Sequence, residues 1–343
     1  MLSFLIVIGI CVLIHEGGHY FAAVWRGIQV HEFAFGMGPA ILTKRSKSGT
    51  LWALRIFPIG GFVRLEGDES DLRPGDVPDP SRNFNIKRPW ERCLVIVGGA
   101  VMNILLAWLL TTMLLSANDM NDLRSPVVGN LMPGFPAERM GALPGDRVLS
   151  INGQAIEEWP DIRRTLQTLE TDEVNITIRR GEEELVLSGI IPFSEEQEAR
   201  LWGVQPSRIR HPIHKAAFES IGHCWTITLM TYKGLWQMIT GQMGMDVAGP
   251  VGIARMAGDS ATQGFWVFIY FLAIINLSLG IINLFPFPAL DGGRLIFIVG
   301  EMIYGRKFPE KWENRIHMVG FVMLIALLIF VTYHDIMKLL AGN

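Results

Sequence analysis

Hydrophobic positions along this chain follow two rhythms. Four stretches, Leu2–Val24, Leu94–Leu115, Phe265–Phe285 and His317–Tyr333, are almost continuously apolar. A helix needs about 20 such residues to cross the roughly 30 Å hydrocarbon core of a bilayer, so each predicts a membrane span. Elsewhere the pattern shortens to alternation. Leu51–Ile56 and Phe62–Leu65 read as short strands, set apart by turn signals at Gly36-Met37-Gly38-Pro39 and Pro58-Ile59-Gly60-Gly61. Val174–Ile178 and Leu185–Leu187 alternate as a strand pair around the turn Arg180-Gly181-Glu182, after a helical stretch near Trp159–Leu169. Ala216–Ile239 is apolar but carries Glu219, His223 and Lys233, which predicts an amphipathic helix on the membrane surface rather than a fifth span. Asp68–Asn85, rich in Asp, Pro and Ser, reads as a mobile loop.

These patterns divide the chain into a first span (1–25), a membrane-associated β-region (26–93), a second span (94–116) and a soluble α+β module (126–209). A surface region (210–262), a third span (263–303), and a loop with the fourth span (304–343) follow. The expected fold class is a multi-pass α-helical membrane protein with four transmembrane helices, a membrane-associated β-structure and an inserted α+β domain.

Composition agrees with that mixture. Half of the 343 residues are hydrophobic and 18% are charged, with a mean hydropathy of +0.31, too apolar for an ordinary soluble domain and too charged for spans alone. The net charge of −3 carries no nucleic-acid signature. Orientation follows from the basic residues of the short loops. Arg26, Lys44, Arg45 and Lys47, then Lys87, Arg88 and Arg92, then Arg306, Lys307, Lys311 and Arg315 all fall on one side, which the rule makes cytoplasmic. The N-terminus, the module between spans two and three, and the C-terminus then lie outside. No basic residue precedes the first apolar run, so it reads as a retained span rather than a cleaved signal peptide. Cys11, Cys93 and Cys224 make no paired framework.

Chemistry enters with His15-Glu16-Gly17-Gly18-His19, inside the first span. On a helix this spacing puts two imidazoles one turn apart on one face, where both can bind one zinc ion, with Glu16 placed to take a proton from metal-bound water. Ionisable residues within a span are costly and point to function. A catalytic zinc needs a third protein ligand. Asp291, in Asn283-Leu284-Phe285-Pro286-Phe287-Pro288-Ala289-Leu290-Asp291-Gly292-Gly293, is the strongest candidate, because two prolines break the helix near the cytoplasmic end of span three. Asp291 also reads as the N-cap of the next helix, and the two roles are compatible, with the ligand reading dominant.

Two resemblances follow from these residues. Pro144-Gly145-Asp146-Arg147-Val148 through Ile151-Asn152-Gly153 resembles a PDZ domain, in its circularly permuted bacterial form, which binds extended peptide at a sheet edge. A β-rich spacer that binds nothing is the alternative. Taken with the Phe35–Pro39 element, Pro58–Val63, Gly249-Pro250-Val251-Gly252-Ile253 and the segment Asn283–Gly293, the whole chain resembles the site-2 protease family of bacterial RseP/RasP-type intramembrane zinc metalloproteases with one PDZ domain. The resemblance implies Zn2+ bound by His15, His19 and Asp291, with Glu16 as general base. It implies substrate contact at Asn283 and a strand at Gly60, Gly61 and Phe62 that pairs with an unwound substrate; Asn283 read alone can equally join two membrane helices. The implied substrates are single-span membrane proteins, such as anti-sigma factors and remnant signal peptides, in regulated intramembrane proteolysis. The implied partners are peptide tails at the PDZ domain and the lipid bilayer of the bacterial inner membrane, without nucleic acid. Span two departs from the family pattern in lacking a proline at Gly99-Ala100-Val101-Met102-Asn103. A catalytically inactive PDZ adaptor is the alternative function, and the intact His15, Glu16, His19 and Asp291 set opposes it.

Overall fold

The computed structural model describes residues 2–67, 76–117, 120–194, 199–210, 212–240 and 249–340. The chain separates into two units, one made of residues 1–114 and 214–343, the other of residues 115–213.

The first unit begins with helix α1 (Leu2–Trp25), followed by strands β1 (Val30–Arg45) and β2 (Leu51–Leu65) and helix α2 (Pro89–Ala117). Each strand is bent and pairs twice: Phe33 faces both Val63 and Trp52, Ala34 faces both Phe62 and Ala53, and Lys44 returns to pair with Trp52. Four antiparallel segments therefore run in the order 61–65, 30–35, 51–55, 40–45, with 61–65 forming one edge. The expected turns at Gly36–Pro39 and Pro58–Gly61 are in fact bends within continuous strands. Gly36, Gly38 and Gly60 adopt φ of +89°, +86° and +78°, a region that glycine enters without a Cβ penalty and that lets a strand fold over its neighbour. Buried charges are paired along the sheet: Glu32, fully buried, bonds Arg55, and His31 Nε2 lies 2.7 Å from Glu66 Oε2. Of the expected loop Asp68–Asn85, residues 68–75 lie outside the described set; Pro80–Arg82 and Phe84–Ile86 form 3-10 turns.

The second unit contains β3 (Met120–Asn121), β4 (Val128–Leu131), α3 (Pro136–Arg139), β5 (Arg147–Ile151), β6 (Gln154–Ala155) and α4 (Trp159–Gln167). It continues with β7 (Glu173–Arg180), β8 (Glu183–Ile190), β9 (Phe193–Ser194), β10 (Ala199–Arg200), β11 (Val204–Pro206) and β12 (Arg208–Ile209). A four-stranded antiparallel sheet runs β6-β5-β7-β8, while β4 pairs with β11. Alternation buries Val174, Ile176 and Ile178 of β7 against Ile162 and Leu166 of α4 and the side chain of Trp202. Asp146 sits beneath this sheet, accepting from Arg180 Nε and Nη2 and from the Leu143 amide, each at 2.8 Å. Burial pushes its carboxyl up, but those three donors outweigh burial and hold it below the usual carboxylate range.

The chain returns to the first unit with α5 (Ile213–Ile239), α6 (Pro250–Gln263), α7 (Phe265–Asn283), α8 (Asp291–Tyr304) and α9 (Glu310–Leu340). Among the described residues, four helices are long and apolar enough to cross a membrane: Leu2–Trp25, Pro89–Ala117, Phe265–Asn283 and Glu310–Lys338. Helix α5 is not among them. It packs on α2 through Ser220 Oγ and Thr112 Oγ1 at 2.8 Å, and exposes Phe218, Ile221, Trp225, Leu229 and Trp236 at helical spacing. The expected surface region 210–262 is only partly that. Helix α6 is packed inward, with Ala257 fully buried beside Val7 and Cys11 of α1 and Phe271 of α7, because Ile253 and Ala257, one turn apart, put apolar side chains on a single face. The expected third span, 263–303, is interrupted: α7 stops at Asn283 and α8 starts at Asp291, as two prolines between them require. Lys307 Nζ donates to Asn85 O at 2.6 Å and Arg92 pairs with Glu301, so the end of α8 and the loop after it meet the start of α2.

Candidate metal centre

Helix α1 carries His15 and His19 on one face, and α8 presents Asp291 from its first turn. His15 Nε2 lies 3.2 Å and His19 Nε2 3.4 Å from Asp291 Oδ2, and the two Nε2 atoms are 3.2 Å apart. His19 Nδ1 lies 2.8 Å from the backbone oxygen of Val95 in α2. A carbonyl only accepts, so Nδ1 carries the proton and the lone pair of Nε2 points at Asp291. Asp291 Oδ2 and His15 Nδ1 are buried with no hydrogen-bond partner among the described residues. The lone pair of His19 Nε2 thus faces a buried carboxylate oxygen with no proton of its own between them, an arrangement that a cation relieves. A tetrahedral ion with bonds of about 2.0–2.1 Å holds its ligand atoms roughly 3.3 Å apart, and two imidazoles plus a carboxylate are a zinc donor set, so these residues fit zinc.

Glycine makes that convergence sterically possible. A Cβ on Gly18 would lie 2.1 Å from the backbone oxygen of Gly98, and one on Gly98 would lie 2.7 Å from that of Gly18, so α1 and α2 meet backbone to backbone. One residue further, a Cβ on Gly99 would lie 2.5 Å from His19 Nε2 and 2.7 Å from His15 Cε1. Gly292 and Gly293 similarly bring the first turn of α8 against the carbonyls of Phe285 and Phe287. On the other side of α1, a Cβ on Gly61 would lie 3.0 Å from Glu16 Cγ and 2.8 Å from Ala34 O. The edge segment of β2 thus rests directly on the glutamate of the motif.

The structure brings together His15, His19, Asp291, Glu16 and Gly61, with Gly60 and Phe62 flanking in β2. Asn283 is the last residue of α7 and half-buried; among the described residues its side chain makes no hydrogen bond. The contributions of Val95, Gly98 and Gly99 do not emerge from the sequence motifs. The Gly98-Gly99 pair inside an apolar run is the signal that reveals them, since small residues in a span mark close helix contact.

Comparison with known proteins places the chain in a class and then in a family. Residues 3–327 match the profile of Peptidase family M50. A protein of Clostridium perfringens, provisionally named a zinc metalloprotease, is 33% identical over 95% of either chain. One from Clostridium acetobutylicum with the same provisional name is 31% identical, covering 97% of this chain and 96% of its own. The zinc metalloprotease RasP of Geobacillus kaustophilus is 29% identical over 98% of each. Among solved structures, the PDZ domain of an SdrC-like protein from Listeria monocytogenes aligns with 25% of this chain and 86% of its own, at 15% identity and a TM-score of 0.20. The class is a membrane-embedded metallopeptidase, and the chain belongs to Peptidase family M50, the site-2 protease family.

Proposed function

We propose that this zinc metalloprotease cuts the membrane-spanning segments of single-span proteins, with His15, His19 and Asp291 as zinc ligands and Glu16 as general base. The observation carrying this reading is the convergence of three donor atoms at 3.2–3.4 Å, two on α1, which is apolar enough to cross a membrane, and one in the first turn of α8, which follows another such helix. Bound zinc supplies a Lewis acid and a water acidic enough to deprotonate near neutral pH. The chain's own residues do the rest. Glu16 accepts the proton of the attacking water as its oxygen bonds the peptide carbonyl carbon. It then returns that proton to the leaving nitrogen as the C–N bond breaks. Asn283 donates from its side-chain amide to the substrate backbone near the scissile bond.

A helical substrate hides its peptide bonds within its own hydrogen bonds, so it must unwind first. The edge of β2 at Gly60, Gly61 and Phe62 offers replacement partners, and Gly61 lies against Glu16, where an added strand would present its carbonyls. The module within residues 126–209 acts as a PDZ domain that docks peptide tails. Support for it comes from its own sheet order and from β11, which has β4 on one side. In this reading the basic ends face the cytoplasm of a bacterial inner membrane and the module faces outward. Substrates are anti-sigma-factor-like proteins and remnant signal peptides left by an earlier cut.

The test is reconstitution in liposomes with a single-span substrate whose outer domain has been trimmed. Glu16→Gln should keep its zinc and lose about 10²–10⁴-fold in rate. Equal cleavage by wild type and zinc-loaded Glu16→Gln would defeat the proposal.

A further inference from the structure

Asp291 depends on the loop before it. It opens α8 without a side-chain cap, so its position is set by residues 284–290. Most amides in that loop bond locally: Phe287 N reaches Phe285 O at 2.7 Å and Leu290 N reaches Phe287 O at 3.1 Å. The Ala289 amide does not. It donates to His317 Nδ1 of α9 at 3.1 Å. Ala289 also has φ of +78°, one of two non-glycine residues in the left-handed region among those described. A residue with a Cβ stays there only when its surroundings over-determine it.

Helix α9 supplies those surroundings from one face. One turn beyond His317, Gly320 presses on the loop so closely that a Cβ there would lie 2.4 Å from Pro288 Cβ and 2.6 Å from Pro288 O. His317 is itself oriented by the ring of Phe297 in α8, edge-on at 5.6 Å between centroids. Because Nδ1 accepts from an amide, the imidazole is held with its lone pair toward Ala289.

We infer that His317 is a positioning residue for the metal centre: by holding the Ala289 amide, it keeps Ala289 left-handed and sets Asp291 Oδ2 where His15 and His19 converge. The inference rests on the reading of His15, His19 and Asp291 as zinc ligands. Losing the acceptor lets Ala289 relax toward ordinary φ, and the carboxylate two residues later moves with it.

The experiment compares full-length wild type, His317→Ala, His317→Asn and His317→Ala/Ala289→Gly in detergent, each dialysed against a graded series of zinc chelator. Asparagine places Oδ1 where Nδ1 stands, and glycine adopts the left-handed conformation without needing a clamp. His317→Ala should give up zinc to about 10–100-fold less chelator, the usual cost of removing an outer support. His317→Asn and the double variant should hold zinc nearly as wild type does. In the zinc-loaded proteins, kcat should fall for His317→Ala with KM unchanged. Equal retention by wild type and His317→Ala overturns the inference, as does His317→Asn behaving no better than His317→Ala. If His317→Ala does not fold, the asparagine and double variants still decide by whether they retain zinc. A wild type that binds no zinc instead defeats the ligand assignment itself, a distinguishable result.

Discussion

At His19 the two ring nitrogens play separate parts, since Nδ1 is committed to Val95 O and Nε2 is left to face Asp291. The room for that imidazole comes from an absent side chain, since Gly99 stands where any Cβ would strike both histidines. Gly99→Ala should therefore displace the donors and lower zinc affinity and activity together, by about 10–100-fold. The check is metal content after dialysis alongside the cleavage rate. Gly222 of α5 has nothing within 4 Å of its missing Cβ, so Gly222→Ala should leave both unchanged while gaining up to about 1 kcal/mol in helix propensity. A loss in Gly222→Ala as large as in Gly99→Ala would mean that glycine flexibility, rather than contact, is what matters.

At the level of elements, the β1–β2 sheet positions an edge against Glu16. Gly61→Val would drive a branched side chain into Ala34 O and Glu16 Cγ, and activity should fall at least tenfold while zinc content stays at the wild-type level. Zinc loss in this variant would place the edge among the supports of the metal. In the second unit, Asp146→Ala removes three hydrogen bonds from a buried carboxylate, so the unit should lose about 1–3 kcal/mol, read from its melting. Because the folded carboxyl titrates below its unfolded value, its contribution is fully present above the unfolded pKa. That contribution disappears as pH falls through the folded value, and melting at low pH should show wild type and Asp146→Ala converging. The helices were legible because long apolar runs admit one interpretation in a bilayer. The bent strands were not, since glycine and proline signal turns and bulges alike, and only pairing on both sides tells them apart. The same limit hid the split between α7 and α8 in part: prolines announced a break, but the left-handed Ala289 has no local signature.

For the molecule as a whole, His15, Glu16, His19 and Asp291 were legible from motif and depth, whereas the residues that back them were not, because a close approach between distant glycines exists only in three dimensions. All four lie in the unit formed by residues 1–114 and 214–343. Replacing 115–213 with a flexible linker should leave zinc binding stoichiometric and lower cleavage of substrates whose tails dock on that unit. Loss of zinc in that variant would show that the second unit is needed to assemble the first. The long separation between His19 and Asp291 also has a consequence for biosynthesis. With synthesis at about 5–20 residues per second, the roughly 270 residues between them take some 15–55 s to emerge. Throughout that interval the first helix carries His15 and His19 while Asp291 is not yet made, so under the proposed ligand set a ribosome-bound chain is a protease that cannot yet cut.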